Sequence, residues 1–227
     1  MNPAQTARLA EAYLALERRL SGSLASIDPS WRARWFADAE LAALLNDAGA
    51  AREARVAQSL FTRICGPWPA LAALATPAGA WSLLARGELL PRLAAHALLQ
   101  RPGVLRSCVQ RATRQALEAA LGAAFEPMWR AAGGGGRAAP ASLDVGAPLL
   151  WARVGYADIE RCGAWPDRSL RRLARLCLPA ETPRRELRLA LTAGLPLGAS
   201  LPRSREACEQ GIARVEGWLG ADAAMAA

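Results

Sequence analysis

The chain has 227 residues and a formal net charge of +8, and all 28 of its basic side chains are arginine. Without a lysine it can form neither a phosphate-binding loop, which sets a lysine on the β- and γ-phosphates, nor a Schiff base to a carbonyl substrate. Alanine and leucine dominate while β-branched and aromatic residues are scarce, which predicts an all-α fold, at this length one compact multi-helix domain with a proper core.

Residues 4–20 set Leu9, Ala12, Tyr13, Leu16 and Leu20 at helical spacing, so an amphipathic helix comes first. Arg8, Glu11, Glu17, Arg18 and Arg19 interrupt it, leaving no continuous apolar run of the signal-peptide kind, and a soluble cytoplasmic protein is expected. Gly22 and the run SIDPSW should end this helix, and short helices are predicted over 38–45 and 50–64. Ile64 to Ala85 then carries no charge for 22 residues, long enough to cross a bilayer. Pro67, Pro69 and Pro77 and the alanine content favour a buried loop and short helix over a membrane span. Pro77 and Gly79 are expected to split this segment before a helix starting near Ala80.

Residues 88–100 read as a helix stopped by Arg101-Pro102-Gly103, because a residue before proline avoids the helical region. One helix is predicted over 104–122, with Val104, Leu105, Cys108, Val109, Ala112, Leu117, Ala120 and Leu121 as its apolar stripe and Gly122 as its terminator. The low-complexity run AAGGGGRAAPAS, 131–142, is expected to be a mobile Gly/Ala-rich loop in the middle of the domain, a possible divider of two lobes. Further helices are predicted at about 149–162, 167–178, 183–193 and 204–219, with Pro183 and Ser204 as start signals.

Catalytic constellations are weakly represented. Cys65, Cys108, Cys162, Cys177 and Cys208 are widely spaced and odd in number, and with a single histidine no close-spaced metal-ligand set forms. Small buried thiols, no metal and no cofactor are expected. His96 follows Leu89 by seven residues and Leu93 by three, the face of a core histidine; a triad with Cys108 would need the helices to fold back at Pro102-Gly103. The acid pairs Asp38/Glu40, Asp158/Glu160 and Glu206/Glu209 sit in no acid/base context.

The arginines raise the other possibilities. Arg106, Gln110, Arg114 and Glu118, spaced by four, form one polar stripe, and residues 101–137 carry six arginines against two glutamates. That is an ordinary solvated face, or a surface for phosphates or an acidic partner. A second basic run, PDRSLRRLARLCLPAETPRRELRLAL, superficially suggests a helix-turn-helix, but leucines fill its apolar positions and its turn, CGAWP, is bulky. Any exposed member of the eight tryptophans is a candidate contact hot spot.

Residues 89–122, LLPRLAAHALLQRPGVLRSCVQRATRQALEAALG, resemble the K-subunit (SctK/YscK-type) family of bacterial type III secretion systems, closest to its plant-pathogen Hrp branch. RICGPWP and LRRLARLCLP are similar in general character. The resemblance implies a non-enzymatic adaptor of the sorting platform at the cytosolic face of the inner membrane. Such a subunit bridges the cytoplasmic domain of an SctD-type inner-membrane ring protein to an SctQ-type pod protein. It carries no functional residue across; the arginine clusters Arg106, Arg111, Arg114 and Arg171, Arg172, Arg175 are the expected partner contacts, because arginine's planar fork pairs carboxylates bidentately. For the adaptor no specific nucleic acid is expected as a partner; the alternative is a basic helical nucleic-acid-binding or regulatory protein.

Overall fold

Residues 2–21, 26–35, 55, 58–59, 61–132, 138–195 and 204–225 are described in a computed structural model. They contain helices and no strand, as the composition requires. In chain order these are α1 (Pro3–Ser21), α2 (Pro29–Trp35), a π-helical turn (Phe61–Cys65), α3 (Leu71–Leu74), α4 (Pro77–Ser82), α5 (Arg86–Leu99), α6 (Pro102–Ser107), α7 (Arg111–Leu121), a 3-10 turn (Gly122–Ala124), α8 (Phe125–Ala131), α9 (Pro148–Arg161), α10 (Arg168–Leu176), α11 (Arg184–Thr192) and α12 (Arg205–Met225). The helix expected at 38–45 lies outside the described residues, as does the one expected at 50–64 except for residues 55, 58–59 and 61–64.

The chain forms two compact units, residues 1–89 with 165–181, and 90–164 with 182–227. Residues 131–142 belong to the second, and 133–137 among them lie outside the described residues.

In the first unit Leu16 and Leu20 of α1, Phe61 and Cys65 of the π turn, Leu74, and Leu170, Leu173 and Leu176 of α10 make one apolar cluster. The spacing of the α10 leucines puts them on one helical face. Asp167 starts α10 by accepting the Ser169 N–H (2.7 Å) and the Ser169 hydroxyl, an N-cap. The run SIDPSW does more than end α1. Asp28 accepts the Ser30 N–H (3.0 Å) and hydroxyl (2.6 Å) and Pro29 opens α2, so Asp-Pro here is a start signal. Pro77 likewise opens a helix instead of preceding one: Thr76 caps α4 by accepting from Gly79 N at 3.1 Å. Among the described residues no helix is long and apolar enough to cross a membrane.

The second unit is built on α5, α9 and α12. Gly155 of α9 lies so close to α5 that a Cβ there would sit 1.9 Å from the Leu93 carbonyl oxygen. Trp151, Val154 and Ile159 of α9 and Leu93, Ala97 and Leu98 of α5 are buried.

The single helix expected over 104–122 is not formed. It breaks between α6 and α7, because the Ser107 hydroxyl donates to Val104 O (2.8 Å), Cys108 N to Leu105 O (3.2 Å) and Val109 N to Ser107 O (2.8 Å). These short-range bonds take the backbone out of the helical ladder. Val109, expected in the apolar stripe, is consequently 89% exposed. Gly122 does terminate α7, with φ at +53°. The helix α8, absent from the reading of the sequence, follows directly.

Candidate functional site

The lone histidine belongs to a buried polar centre in the second unit. Arg101 is fully buried, and its guanidinium donates to Asp158 Oδ2 (2.6 Å) and Oδ1 (3.1 Å), to Ala97 O (2.9 Å), to Ala190 O (3.1 Å) and to Leu191 O (3.2 Å). All five of its donors have acceptors, a condition for burying this cation at tolerable cost. His96 is buried beside the pair, and its Nε2 lies 3.7 Å from the Cys208 sulfur. Burial pushes its pKa down to about 4, with the Arg101 charge adding to the effect and the Asp158 charge opposing it. The imidazole is therefore neutral at physiological pH. The thiol that meets it is Cys208 of α12, not Cys108.

None of the five cysteines is in a disulfide. Burial pushes the Cys65 and Cys208 pKa values up to about 12 and that of Cys108 to about 11. Such thiols make poor nucleophiles, since the thiolate is the reactive form. Among the described residues no group of three or more His, Cys, Asp or Glu side chains could hold a metal ion. Of the acid pairs, Asp158 is buried in the Arg101 centre while Glu160 is exposed, and Asp38 and Glu40 lie outside the described residues.

The arginines singled out by sequence separate into two kinds. On α10, Arg172 donates to Ile64 O at 3.1 Å. Arg175 donates to Leu178 O (3.1 Å), Pro179 O (2.7 Å) and Ala180 O (2.8 Å), and its guanidinium lies over the Trp31 ring, 5.1 Å from the centroid. These two side chains, with Trp31 Nε1 donating to Leu178 O at 2.9 Å, tie the end of α10 to α2 and the π turn. Arg171, like the other two, is half-buried.

Arg106, Arg111 and Arg114 are exposed, but the break places Arg106 on α6 and the others on α7. The expected stripe through Gln110 is thus not one helical face. Arg106 donates Nε to Ala132 O at 2.7 Å. Arg114 lies over the Trp129 ring at 4.8 Å and the Phe125 ring at 5.8 Å from the centroids, which holds its guanidinium in place at the surface. Of the tryptophans, Trp81, Trp151 and Trp165 are buried and Trp68 is about half exposed. The exposed Val109 had no signal in the sequence. The burial of Asp158 had one: it follows Val154 by four and Trp151 by seven, on the apolar face of α9.

A protein-family model described as bacterial type III secretion protein (HrpB4) matches residues 3–199. No curated protein and no solved structure matches the chain.

Proposed function

The chain belongs to the HrpB4 family of bacterial type III secretion proteins, and from that membership we propose that it is a non-enzymatic adaptor of the secretion apparatus. In this reading it bridges the cytoplasmic domain of an SctD-type inner-membrane ring protein to an SctQ-type pod protein, at the cytosolic face of the inner membrane. The observation that carries the adaptor role is the placement of Arg111 and Arg114: exposed, unpaired with any carboxylate among the described residues, and in the case of Arg114 braced on two aromatic rings. Arginine and aromatic residues are what protein interfaces concentrate. Arg106, exposed and with its Nε donating to Ala132 O, is a further proposed contact. Arg171, Arg172 and Arg175 are proposed contacts of lesser reach, because two of them already serve their own unit.

The test is co-purification from a secreting strain. Tagged full-length chain should bring down both the ring and the pod protein, and its deletion should abolish secretion. Recovery of neither protein, with secretion intact in the deletion strain, overturns the reading.

A further inference from the structure

The helix α11 is anchored in the second unit on one side and carries a single sign of charge on the other. Ala190 is buried, and its carbonyl and that of Leu191 accept from the buried Arg101 guanidinium at 3.1 and 3.2 Å. On the side opposite Ala190, Arg184 and Arg188 are four residues apart, as are Arg185 and Leu189, so these four share one broad helical face. Among the described residues they line an open groove of about 280 Å³. The three arginines are exposed and Leu189 is half-buried.

The charge in this groove is uncompensated. The ion pairs found among the described residues engage other arginines, and no carboxylate there meets Arg184, Arg185 or Arg188. Glu186, the one acid of α11, lies in the first turn but outside the lining. Like charges at four-residue spacing weaken a helix. Pro183 also opens α11 without a side-chain cap, which leaves the positive end of the helix dipole beside Arg184 and Arg185. An anionic occupant relieves both.

The rest of the lining selects the kind of anion. It holds no aromatic ring among the described residues, so bases have no platform to stack on. A helix lying on a membrane inserts its apolar face, whereas α11 turns Ala190 into its own unit. Carboxylates match the planar forks of the arginines, and Leu189 gives an apolar side chain a seat between them.

We propose that this groove docks an acidic segment of a partner protein, whose carboxylates pair with Arg184, Arg185 and Arg188 while an apolar side chain rests on Leu189. The proposal rests on the adaptor reading and adds to it a place of contact and the chemistry of the partner.

The experiment uses the full chain in the secreting bacterium, with Thr192→p-benzoylphenylalanine as a photo-crosslinker. Thr192 is exposed one turn beyond Arg188, so the lining itself stays unaltered. The expected product joins position 192 to a segment of the ring or pod protein rich in Asp and Glu, mapped by mass spectrometry. Its yield should fall by about fivefold or more with Arg184→Glu combined with Arg188→Glu. An acid in the first turn suits the helix dipole, so helical circular dichroism should be retained. Should the double variant lose it, Arg188→Gln, which removes one charge and keeps a good helix former, must still lower the yield by about twofold. A product with lipid, a nuclease-sensitive product, a product with a second copy of the chain, or a partner segment without acidic residues overturns the proposal. So does continued co-purification with the apparatus alongside no product at 192, or a yield unmoved by these substitutions, outcomes that leave the adaptor reading standing. Loss of co-purification with every apparatus protein in the unsubstituted chain overturns both.

Discussion

His96 shows how one buried side chain couples stability to pH. In the unfolded chain it titrates near 6.5, whereas burial in the second unit lowers its pKa to about 4, with Arg101 assisting and Asp158 opposing. The unfolded state therefore binds more protons between these values, so stability is fully present above about pH 6.5 and is lost as the pH falls toward 4. At pH 5 the loss from this group alone comes to about 2 kcal/mol by the linkage relation. Urea unfolding of the native chain and of His96→Gln at pH 7, 6 and 5 should show the native chain losing more stability on acidification than the variant, by about that amount. Parallel pH dependences would mean that the histidine is protonated in the fold, or that the carboxylates carry the whole effect. Asp28 responds in the same sense but at lower pH. Burial alone would raise its pKa, but the Ser30 hydroxyl and N–H and the Arg86 guanidinium outweigh it and hold it low, so its contribution fades only at more acidic pH.

Packing between helices decides the sign of a glycine substitution that propensity alone would misjudge. Replacing a mid-helix glycine by alanine favours the helix by up to about 1 kcal/mol. At Gly217, on the exposed side of α12 with nothing within 4 Å of an added Cβ, that gain should appear in full. At Gly155 the Cβ would meet Leu93 O at 1.9 Å and the Leu93 carbonyl carbon at 2.7 Å. Backbone cannot swing aside as a side chain can, so α5 and α9 must separate, and Gly155→Ala should destabilise by about 1–3 kcal/mol or more. Chemical denaturation of both variants checks the opposed signs; a stabilised Gly155→Ala would mean that the two helices are not in close contact. Such a contact leaves no mark on hydrophobic periodicity, which is why the helices over 3–21, 86–99, 148–161, 168–176 and 184–192 were legible and their packing was not. The periodicity also misled once. Val104 to Leu121 satisfies a single apolar stripe, yet the local bonds made by Ser107, Cys108 and Val109 prevail, and the position most exposed by that break is the one the stripe would bury. Start signals are legible at Pro183, which directly precedes α11 without a side-chain cap, and at Ser204, whose hydroxyl accepts the Ala207 N–H; at Asp28-Pro29 and Thr76-Pro77 the capping side chain makes proline a helix opener where its breaking tendency alone predicts an end.

At the scale of the whole chain the question is what an excess of arginine does. A count of charges cannot distinguish a guanidinium bound to its own backbone carbonyls from one held out to solvent, since that depends on which segments meet in three dimensions. Arg101, Arg172 and Arg175 are of the first kind, and Arg111 and Arg114 of the second. Among the described arginines Arg19 and Arg101 are buried, and the exposed ones are spread over separate helices. Attraction to nucleic acid should be correspondingly limited. If three exposed arginines such as Arg106, Arg111 and Arg114 met phosphates together, counterion release would lower the binding constant roughly 40-fold between 50 and 200 mM salt. Contacts of guanidinium groups to phosphate carry no sequence information, so duplexes of unrelated sequence should bind alike. Fluorescence anisotropy titrations at the two salt concentrations, with two unrelated duplexes, measure both properties. Binding that withstands 200 mM salt and prefers one duplex would favour the regulatory reading over the adaptor. Weak, sequence-blind and salt-labile binding is what arginines poised for a partner's carboxylates would give, because phosphate then meets only their charge and not a surface shaped to hold it.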